Sequence, residues 1–239
     1  MIERHLARLR ARHPVSHTEE QAIRGLLAET RTVGPRTTVI RQGELLDHST
    51  LLLDGLMCRF KDLKDGARQI TELNVPGDFA DLHSFTLKRL DHGMQAVTEC
   101  VIGLAPHDRI GALMREHPRL ARLYWFGTNL DAAIHREWVA SLGRRDATGR
   151  MAALFCEMHV RLGLVGLADP DGYDFRLTQN EVGECVGLTP VHVNRVLKQL
   201  RTEGLVLLRG GRVELPDPAR LRKLAGFDDG YLYLRPEPL

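Results

Sequence analysis

The segment from Leu177 to Leu200 constrains the fold of this chain most, because it encodes two short helices with a tight turn between them. Thr178 followed by Glu181 is a capping box, in which each side chain satisfies a backbone N–H group at a helix start. Thr189 then caps the second helix, and Pro190 sits at its first position, where no N–H is needed. This layout predicts a helix-turn-helix of the kind that reads DNA.

Two glycines fit the turn between these helices. Gly183 lies where a second helix could cross closely, and Gly187 can end the first helix because glycine takes a positive φ easily. A plain helical hairpin with a solvated polar face is the alternative interpretation. Capping, glycine spacing and side-chain choice coincide here, which favours the DNA-reading unit.

The second helix has one apolar face and one polar face. Val193, Val196 and Leu200 recur at helical spacing, together with Leu197, so this face should pack inward. The opposite face carries Arg195, and arginine can make a bidentate hydrogen bond to a guanine edge. The residues predicted to contact DNA are Thr178, Gln179, Thr189, Pro190, Val191, His192, Asn194, Arg195, Lys198, Arg201, Arg209 and Arg212.

A β-hairpin should follow the second helix. Two apolar stretches, 205–208 and 213–215, flank a Gly-Gly turn, and this pattern is typical of a wing. Arg209 and Arg212 lie at its tip, where they suit backbone phosphates. Between Gly187 and Val213 there are five basic residues and one acidic residue, although the net charge of the chain is only +2. A local basic surface is the electrostatic footprint of nucleic-acid binding.

The first hundred residues are predicted to form short strands. Thr18 and Gln21 form a capping box for a helix through about Glu29, and turn signals then recur from Gly34 to Gly77 at intervals of roughly ten residues. Strands this short are best covered in a small antiparallel barrel or jelly roll. The predicted strands are 37–40, 56–60, 69–73, 95–101 and 102–105.

After Pro106 the apolar period becomes helical over about five turns. A long helix between two domains is expected to bury this stripe against the same helix of a second copy, which predicts a parallel dimer seam. A helix that lies on its own barrel is the alternative. The predicted seam residues are Leu120, Leu123, Gly127, Leu130, Ile134 and Trp138.

The chain is therefore predicted to be an α+β protein with three parts: an N-terminal antiparallel jelly roll, a long dimerisation helix and a C-terminal winged helix-turn-helix. The predicted bounds are 1–107, 108–143 and 144–239, with a hinge at Gly143–Asp146 and an apolar-striped helix over 151–162.

Composition indicates an ordinary globular protein, with 43% hydrophobic and 27% charged residues. The N-terminus lacks the apolar core of a signal peptide, and no run reaches the ~20 apolar residues that span a bilayer. We expect no membrane partner and a location in the cytoplasm. The four cysteines, Cys58, Cys100, Cys156 and Cys185, have no metal-type spacing, so free buried thiols are expected, with a redox or iron–sulfur role as the alternative.

Barrel, long helix, hinge and winged helix-turn-helix, in this order, resemble the Crp/Fnr family of bacterial transcription regulators. The resemblance implies a homodimer that binds double-stranded DNA at a two-fold symmetric promoter site, with RNA polymerase as a partner. Arg195 matches the base-reading arginine of the family. Val191 replaces the usual Glu and Asn194 the usual Ser, so the recognised bases should differ from those of the best-known members.

The stretch Val75–Phe79 is similar to the family's barrel turn before its ligand cassette. The resemblance implies an effector cassette formed by Gly77, Asp78, Phe79, Asp81, Leu82, His83, Arg89, Asp91 and His92. Asp81 stands where cyclic-nucleotide binders have a ribose-binding Glu, and Leu90 or Asp91 stands where they have a phosphate-binding Arg. An acidic group there would repel a phosphate, so cyclic AMP is not the expected effector unless the register shifts to Arg89. The effector itself is not identified by the sequence.

Other functions are less well supported by the residues. His83, His92 and His107 lie near Asp81 and Asp91, and such a set can bind a metal or haem, but no two of these histidines show tight ligand spacing. No catalytic set is evident either, so no catalytic residue, metal or cofactor is predicted. The alternatives are a ligand-binding regulatory subunit of an enzyme and a cupin-like metal enzyme.

Overall fold

A computed structural model describes residues 2–235; the first residue and the last four, which the predicted domain bounds include, lie outside it. The N-terminal half contains α1 (Glu3–Arg10), α2 (His17–Arg24), β1 (Glu29–Val33), β2 (Thr38–Ile40), β3 (His48–Asp54), β4 (Met57–Asp62), β5 (Arg68–Asn74), α3 (Ser84–Leu87), β6 (Gly93–Ala96), β7 (Cys100–Pro106) and α4 (His107–Glu116). The rest contains α5 (Pro118–Arg144), α6 (Ala147–Gly163), β8 (Ala168–Asp169), β9 (Gly172–Asp174), α7 (Gln179–Val186), α8 (Pro190–Thr202), β10 (Leu207–Arg209), β11 (Arg212–Glu214), α9 (Pro218–Ala225) and a short 3₁₀ helix (Gly230–Leu232).

Two antiparallel sheets form the predicted jelly roll. One has the strand order β1-β7-β3 and the other the order β2-β6-β4-β5. Four predicted strands overlap β2, β4, β5 and β7. The strand predicted over 95–101 is wrong, because β6 ends at Ala96 and the chain turns before β7. Strands β1 and β3 were not predicted.

The second helix begins two residues earlier than predicted. Ser16, not Thr18, is its N-cap, and the capping box is completed by Glu19. The Glu19 carboxylate also accepts hydrogen bonds from Arg119 of α5 at 2.7 Å, a partner that no local pattern reveals. The helix ends at Arg24, about one turn before the predicted end at Glu29.

The long helix α5 corrects the predicted dimer seam. Leu120, Leu123, Leu130, Ile134 and Trp138 are buried within the single chain. They pack against the barrel, α1 and α6, and Gly127 is half-buried on the same side of the helix. The helix therefore lies on its own barrel, which was the alternative interpretation, and the prediction that this stripe faces a second copy is wrong.

One apolar core joins the barrel to the C-terminal half. Cys58, Phe60 and Ile70 of the β4–β5 ladder belong to the same cluster of buried side chains as the core of α6, α7 and α8. The amide of Gln69 also donates to the carbonyl of Glu184 in α7 at 2.6 Å. The DNA-reading unit is thus docked on the outer face of the barrel sheet.

None of the helices within residues 2–235 combines the length and apolarity needed to span a bilayer.

All four cysteines are buried free thiols, and burial raises the pKa of Cys58 and Cys156 to about 12. Thiols with such pKa values are poor nucleophiles and poor metal ligands at neutral pH.

Candidate nucleic-acid interface and sensory cavity

Helices α7 and α8 are built by the local signals in their sequence. The Thr178 hydroxyl accepts a hydrogen bond from the Glu181 N–H at 3.2 Å, and the Thr178 N–H donates to the Glu181 carboxylate at 2.6 Å. Gly187 has a φ of 64°, as the predicted helix end requires. A Cβ atom at Gly183 would lie 2.4 Å from the carbonyl oxygen of Leu188. The predicted capping box, turn and close helix crossing are confirmed.

Helix α8 buries one face and exposes the other. Val193, Val196 and Leu200 are buried, whereas Val191 is 79% exposed at the start of the helix. In the described part of the chain Arg195 is exposed and in no ion pair, so its guanidinium is available to a ligand. The other exposed members of the predicted DNA-contacting set are Thr178, Gln179, Thr189, Pro190, His192, Asn194, Lys198, Arg201 and Arg209.

The wing is present, and its two arginines differ. Strands β10 and β11 pair around Gly210 and Gly211, which have φ values of 57° and 79°. Arg209 is exposed at the turn. Arg212 is half-buried and forms ion pairs with Asp169 at 2.5 Å and Asp174 at 3.8 Å, so its charge is already compensated.

Sequence reasoning missed one cation beside the wing. Arg176 is exposed, and its side chain lies 3.0 Å from where a Cβ of Gly211 would be. The N–H of Phe175 donates to the Gly211 carbonyl at 2.6 Å, which brings this strand against the turn. Arg176 comes close to the wing because β9 pairs with β11, and these strands are far apart in the sequence. Only a prediction of this strand pairing could have identified Arg176 as a cation beside the wing.

The residues of the predicted effector cassette do not gather in one site. Arg89 and Asp91 are on the surface, where Arg89 donates to the Gly43 carbonyl at 2.7 Å and Asp91 pairs with Lys61 at 2.9 Å. Asp81 is fully buried and accepts a hydrogen bond from the Thr50 N–H; burial raises the pKa of its carboxyl to about 6. A single cassette formed by all nine residues is therefore wrong, because the chain alternates between the barrel interior and the solvent.

The remaining cassette residues lie around a cavity of about 70 Å³ between α1, the barrel and α5. Asp78, Phe79, Leu82 and His83 line it, and the Gly77 carbonyl beside it is bonded to His5 at 2.8 Å. His92 stands behind His83, with 5.4 Å between the ring centres. Burial lowers the pKa of His83 to about 3, so this imidazole is neutral at pH 7.

A buried ion cluster borders the cavity and joins the two halves of the chain. Arg59 of β4 pairs with Glu72 of β5 at 2.8 Å and with Asp131 of α5 at 2.6 Å. Arg161 of α6 pairs with Asp78 of the barrel turn at 2.8 Å. These charges come from β4, β5, α5, α6 and the barrel turn, and of them only Asp78 belonged to a predicted site, the effector cassette.

Three members of this region could ligate a metal. The ligand atoms of Glu72, Asp131 and His135 lie within 4.8 Å of one another. Both carboxylates are already neutralised by the guanidinium of Arg59, so a metal would have to compete with that cation. The histidine His107 is not part of this group; its imidazole lies within hydrogen-bonding distance of the Ser49 and Ser84 hydroxyls.

Two family profiles match this fold in the order in which its parts occur. Residues 30–117 match the cyclic nucleotide-binding domain, and residues 149–224 match the Crp-like helix-turn-helix domain. The chain belongs to the Crp/Fnr family of transcriptional regulators. It is a DNA-binding regulator and not an enzyme, and the alternatives of a regulatory subunit or a cupin-like enzyme are not supported.

Two relatives and one solved structure are similar to this chain along most of its length. The nitrogen fixation regulation protein FixK of Bradyrhizobium diazoefficiens is 29% identical over 194 residues, which cover 79% of this chain and 78% of FixK. The transcriptional activator protein FnrL of Cereibacter sphaeroides is 29% identical over 222 residues, covering 90% of this chain and 88% of FnrL. The structure of FixK2 from Bradyrhizobium japonicum superimposes on this chain with a TM-score of 0.77 at 24% sequence identity. The match covers 85% of this chain and 100% of the FixK2 chain, which shows that the two proteins share a fold.

Proposed function

We propose that the protein is a homodimer that reads a two-fold symmetric promoter site, with α8 of each copy in the major groove of one half-site. The observation that carries this proposal is that α8 exposes its polar face, whereas Val193, Val196 and Leu200 of its apolar face are buried and Leu197 is half-buried. Such a helix can present its N-terminal residues to base edges while the wing contacts the backbone. The proposed DNA contacts are the twelve residues predicted from the sequence, with Arg176 added.

Arg195→Ala should reduce discrimination at one base position of each half-site. The loss of a bidentate contact costs about 1–3 kcal/mol, which is about 5- to 150-fold in affinity for the preferred base. Binding-site selection from random duplexes, followed by fluorescence anisotropy on the selected site, measures both quantities.

Arg209→Ala in the wing is the matched control for Arg195→Ala. Removing a phosphate contact should weaken all sequences alike and reduce the slope of log affinity against log salt by about one. If Arg195→Ala kept the full sequence preference of the unchanged protein, α8 would not read bases through this side chain.

We place the proposed dimer seam on the outer face of α5. Trp125 and Val139 are 69% and 70% exposed, and the exposed Ala132 lies midway between them. The spacing of seven residues keeps all three on one face of a helix, as in a coiled-coil seam. This face is continuous, and it is opposite the stripe that α5 buries against its own barrel.

Val139→Glu should convert the dimer into a folded monomer. The substitution sets two carboxylates against each other at a two-fold seam, whereas within one protomer the side chain is exposed and the fold is unaffected. Analytical ultracentrifugation gives the mass and circular dichroism the fold. Leu87→Glu, at a 60% exposed leucine of α3, should leave the dimer intact. A Val139→Glu protein that sediments as the original dimer would place the interface elsewhere.

We further propose that residues 1–107 sense an effector, that 108–143 form the dimerisation element and that 144–239 bind DNA and act with RNA polymerase in the cytoplasm.

Cyclic AMP is not the proposed effector. Arg89, the one cation that a register shift could have supplied to the cassette, is on the surface and bonded to the Gly43 carbonyl. The position that holds the phosphate-binding arginine in cyclic-nucleotide binders is therefore not filled by a cation, and a cavity of about 70 Å³ has no room for a nucleotide.

A further inference from the structure

A buried guanidinium stands beside the cavity without a carboxylate partner. Arg12, two residues after the end of α1, is 4% exposed. Its Nε donates to the Leu232 carbonyl at 3.0 Å and its Nη1 to the Arg8 carbonyl at 3.1 Å. Within residues 2–235 no carboxylate lies within ion-pair distance of it, and burial lowers its pKa to about 10. Since an unpaired charge is costly to bury, this arrangement calls for an anion.

Two side-chain nitrogens around the cavity are buried without a hydrogen-bond partner. They are Nη2 of Arg59 and Nε2 of His13, and both side chains line the cavity together with Arg12. Three acceptor oxygens of lining residues also lack a hydrogen bond, but those of Glu72 and Asp78 are in ion pairs, which leaves Oδ1 of Asn74. Buried polar groups in proteins are nearly always paired, so the two nitrogens indicate a missing ligand that can accept hydrogen bonds.

Of the four arginines around the cavity, Arg12 is the one that forms no ion pair within residues 2–235. Four arginines, Arg8, Arg12, Arg59 and Arg161, stand against four carboxyl groups, Glu72, Asp78, Asp131 and Glu157. Burial raises the pKa of Glu72 well above its usual range, because a low-polarity interior disfavours the charged carboxylate. Burial, with the guanidiniums of Arg12 and Arg161 nearby, lowers the pKa of Arg8.

We propose that this cavity binds one small, planar, monovalent oxyanion of the carboxylate, bicarbonate or nitrate type. An engineered cavity of about 150 Å³ admits benzene, so a cavity of about 70 Å³ takes an anion of only a few heavy atoms. Hydrogen bonds from a guanidinium to an oxyanion are charge-assisted and strong, and Nη2 of Arg59 and the guanidinium of Arg12 offer donors. Leu9 and Phe126 form apolar walls that keep the anion poorly hydrated and strengthen these bonds.

The position of the cavity links it to the DNA-reading half. Asp78 is paired both with Arg8 of α1 and with Arg161 of α6. An anion beside Arg8 and Arg12 competes with the Asp78 carboxylate for these guanidiniums. It therefore changes the ion pair between Asp78 and Arg161, which holds α6 against the barrel. The anion would be the effector of the proposed sensory function, and only this last step rests on that proposal.

Calorimetric titration of the full chain with sodium formate, acetate, bicarbonate and nitrate tests the site at constant ionic strength. Sodium gluconate, a bulky monovalent carboxylate, and cyclic AMP are the controls that the cavity is too small to admit. We expect at least one small anion to bind with a stoichiometry of one per protomer. At 100 times its Kd it should raise the melting temperature by about 5–10 °C.

Arg12→Gln should abolish this response, Arg12→Lys should retain part of it, and Arg10→Gln, at the exposed last residue of α1, should leave it unchanged. The proposal is overturned if none of the four small anions binds the unchanged protein below 10 mM Kd, if gluconate stabilises equally, or if Arg12→Gln responds like the unchanged protein. Binding is read without DNA, so a failure here is distinct from a failure of promoter reading.

Discussion

Replacing Arg161 by alanine is expected to lower the melting temperature by about 6–20 °C, the largest effect of any single change proposed for this chain. Arg161 is 3% exposed and pairs with Glu157 at 2.9 Å and Asp78 at 2.8 Å. Its removal leaves two buried carboxylates short of a counter-charge, which costs about 3–5 kcal/mol, and each kcal/mol shifts the melting temperature of a chain this long by about 2–4 °C. Differential scanning calorimetry measures the change.

Arg31→Ala is the matched control for Arg161→Ala. Arg31 also pairs with a carboxylate, that of Glu29 at 2.6 Å, but the arginine side chain is 57% exposed. Solvent screens such a pair, so its loss should leave the melting temperature nearly unchanged. Equal decreases in melting temperature for the two variants would show that the buried ion pairs of Arg161 stabilise the fold no more than an exposed ion pair does.

Gly183→Ala should remove sequence-specific DNA binding. Its Cβ would lie 2.4 Å from the Leu188 carbonyl oxygen, a backbone atom that cannot move aside without shifting α8. The two helices must then separate, and because specific binding exceeds non-specific binding by 10³-fold or more, losing the alignment of α8 should cost up to about that factor. Anisotropy with specific and random duplexes at fixed salt measures the ratio.

Gly163→Ala serves as the control for Gly183→Ala. It lies at the end of α6, and a Cβ there meets no atom within 4 Å. Alanine has the higher helix propensity, so this variant should be as stable as the unchanged protein or more so, with the same specificity for DNA. Specific binding by Gly183→Ala at full strength would mean that the crossing of α7 and α8 tolerates a wider separation.

The DNA-reading unit could be predicted because its determinants are local. Thr178, Glu181 and Gly187 act within one or two turns of themselves, so their spacing specifies helix starts and ends directly. The error at the second helix has the same origin. Ser16 with Glu19 and Thr18 with Gln21 are overlapping capping boxes, and the choice between them involves Arg119, about a hundred residues away.

The surface of α5 and the ion cluster could not be predicted in the same way. An apolar stripe indicates that one face of a helix is buried but not what covers it, so Leu130 and Ile134 fitted a second copy as well as the barrel. Arg59 and Asp131 are 72 positions apart, and each on its own is typical of a solvated surface charge. Only the folded chain brings them together in a low-polarity interior.

The hydrogen bond from Arg12 to the Leu232 carbonyl joins residues 220 positions apart. Phe126 and Tyr233 extend this contact, with 5.9 Å between their ring centres. During synthesis the N-terminal residues leave the ribosome first, yet Arg12 gains this contact only after residues 232–233 have emerged. A growing chain therefore holds its first helix incompletely anchored until this segment has been made, and a nascent chain that stops before Gly230 lacks it.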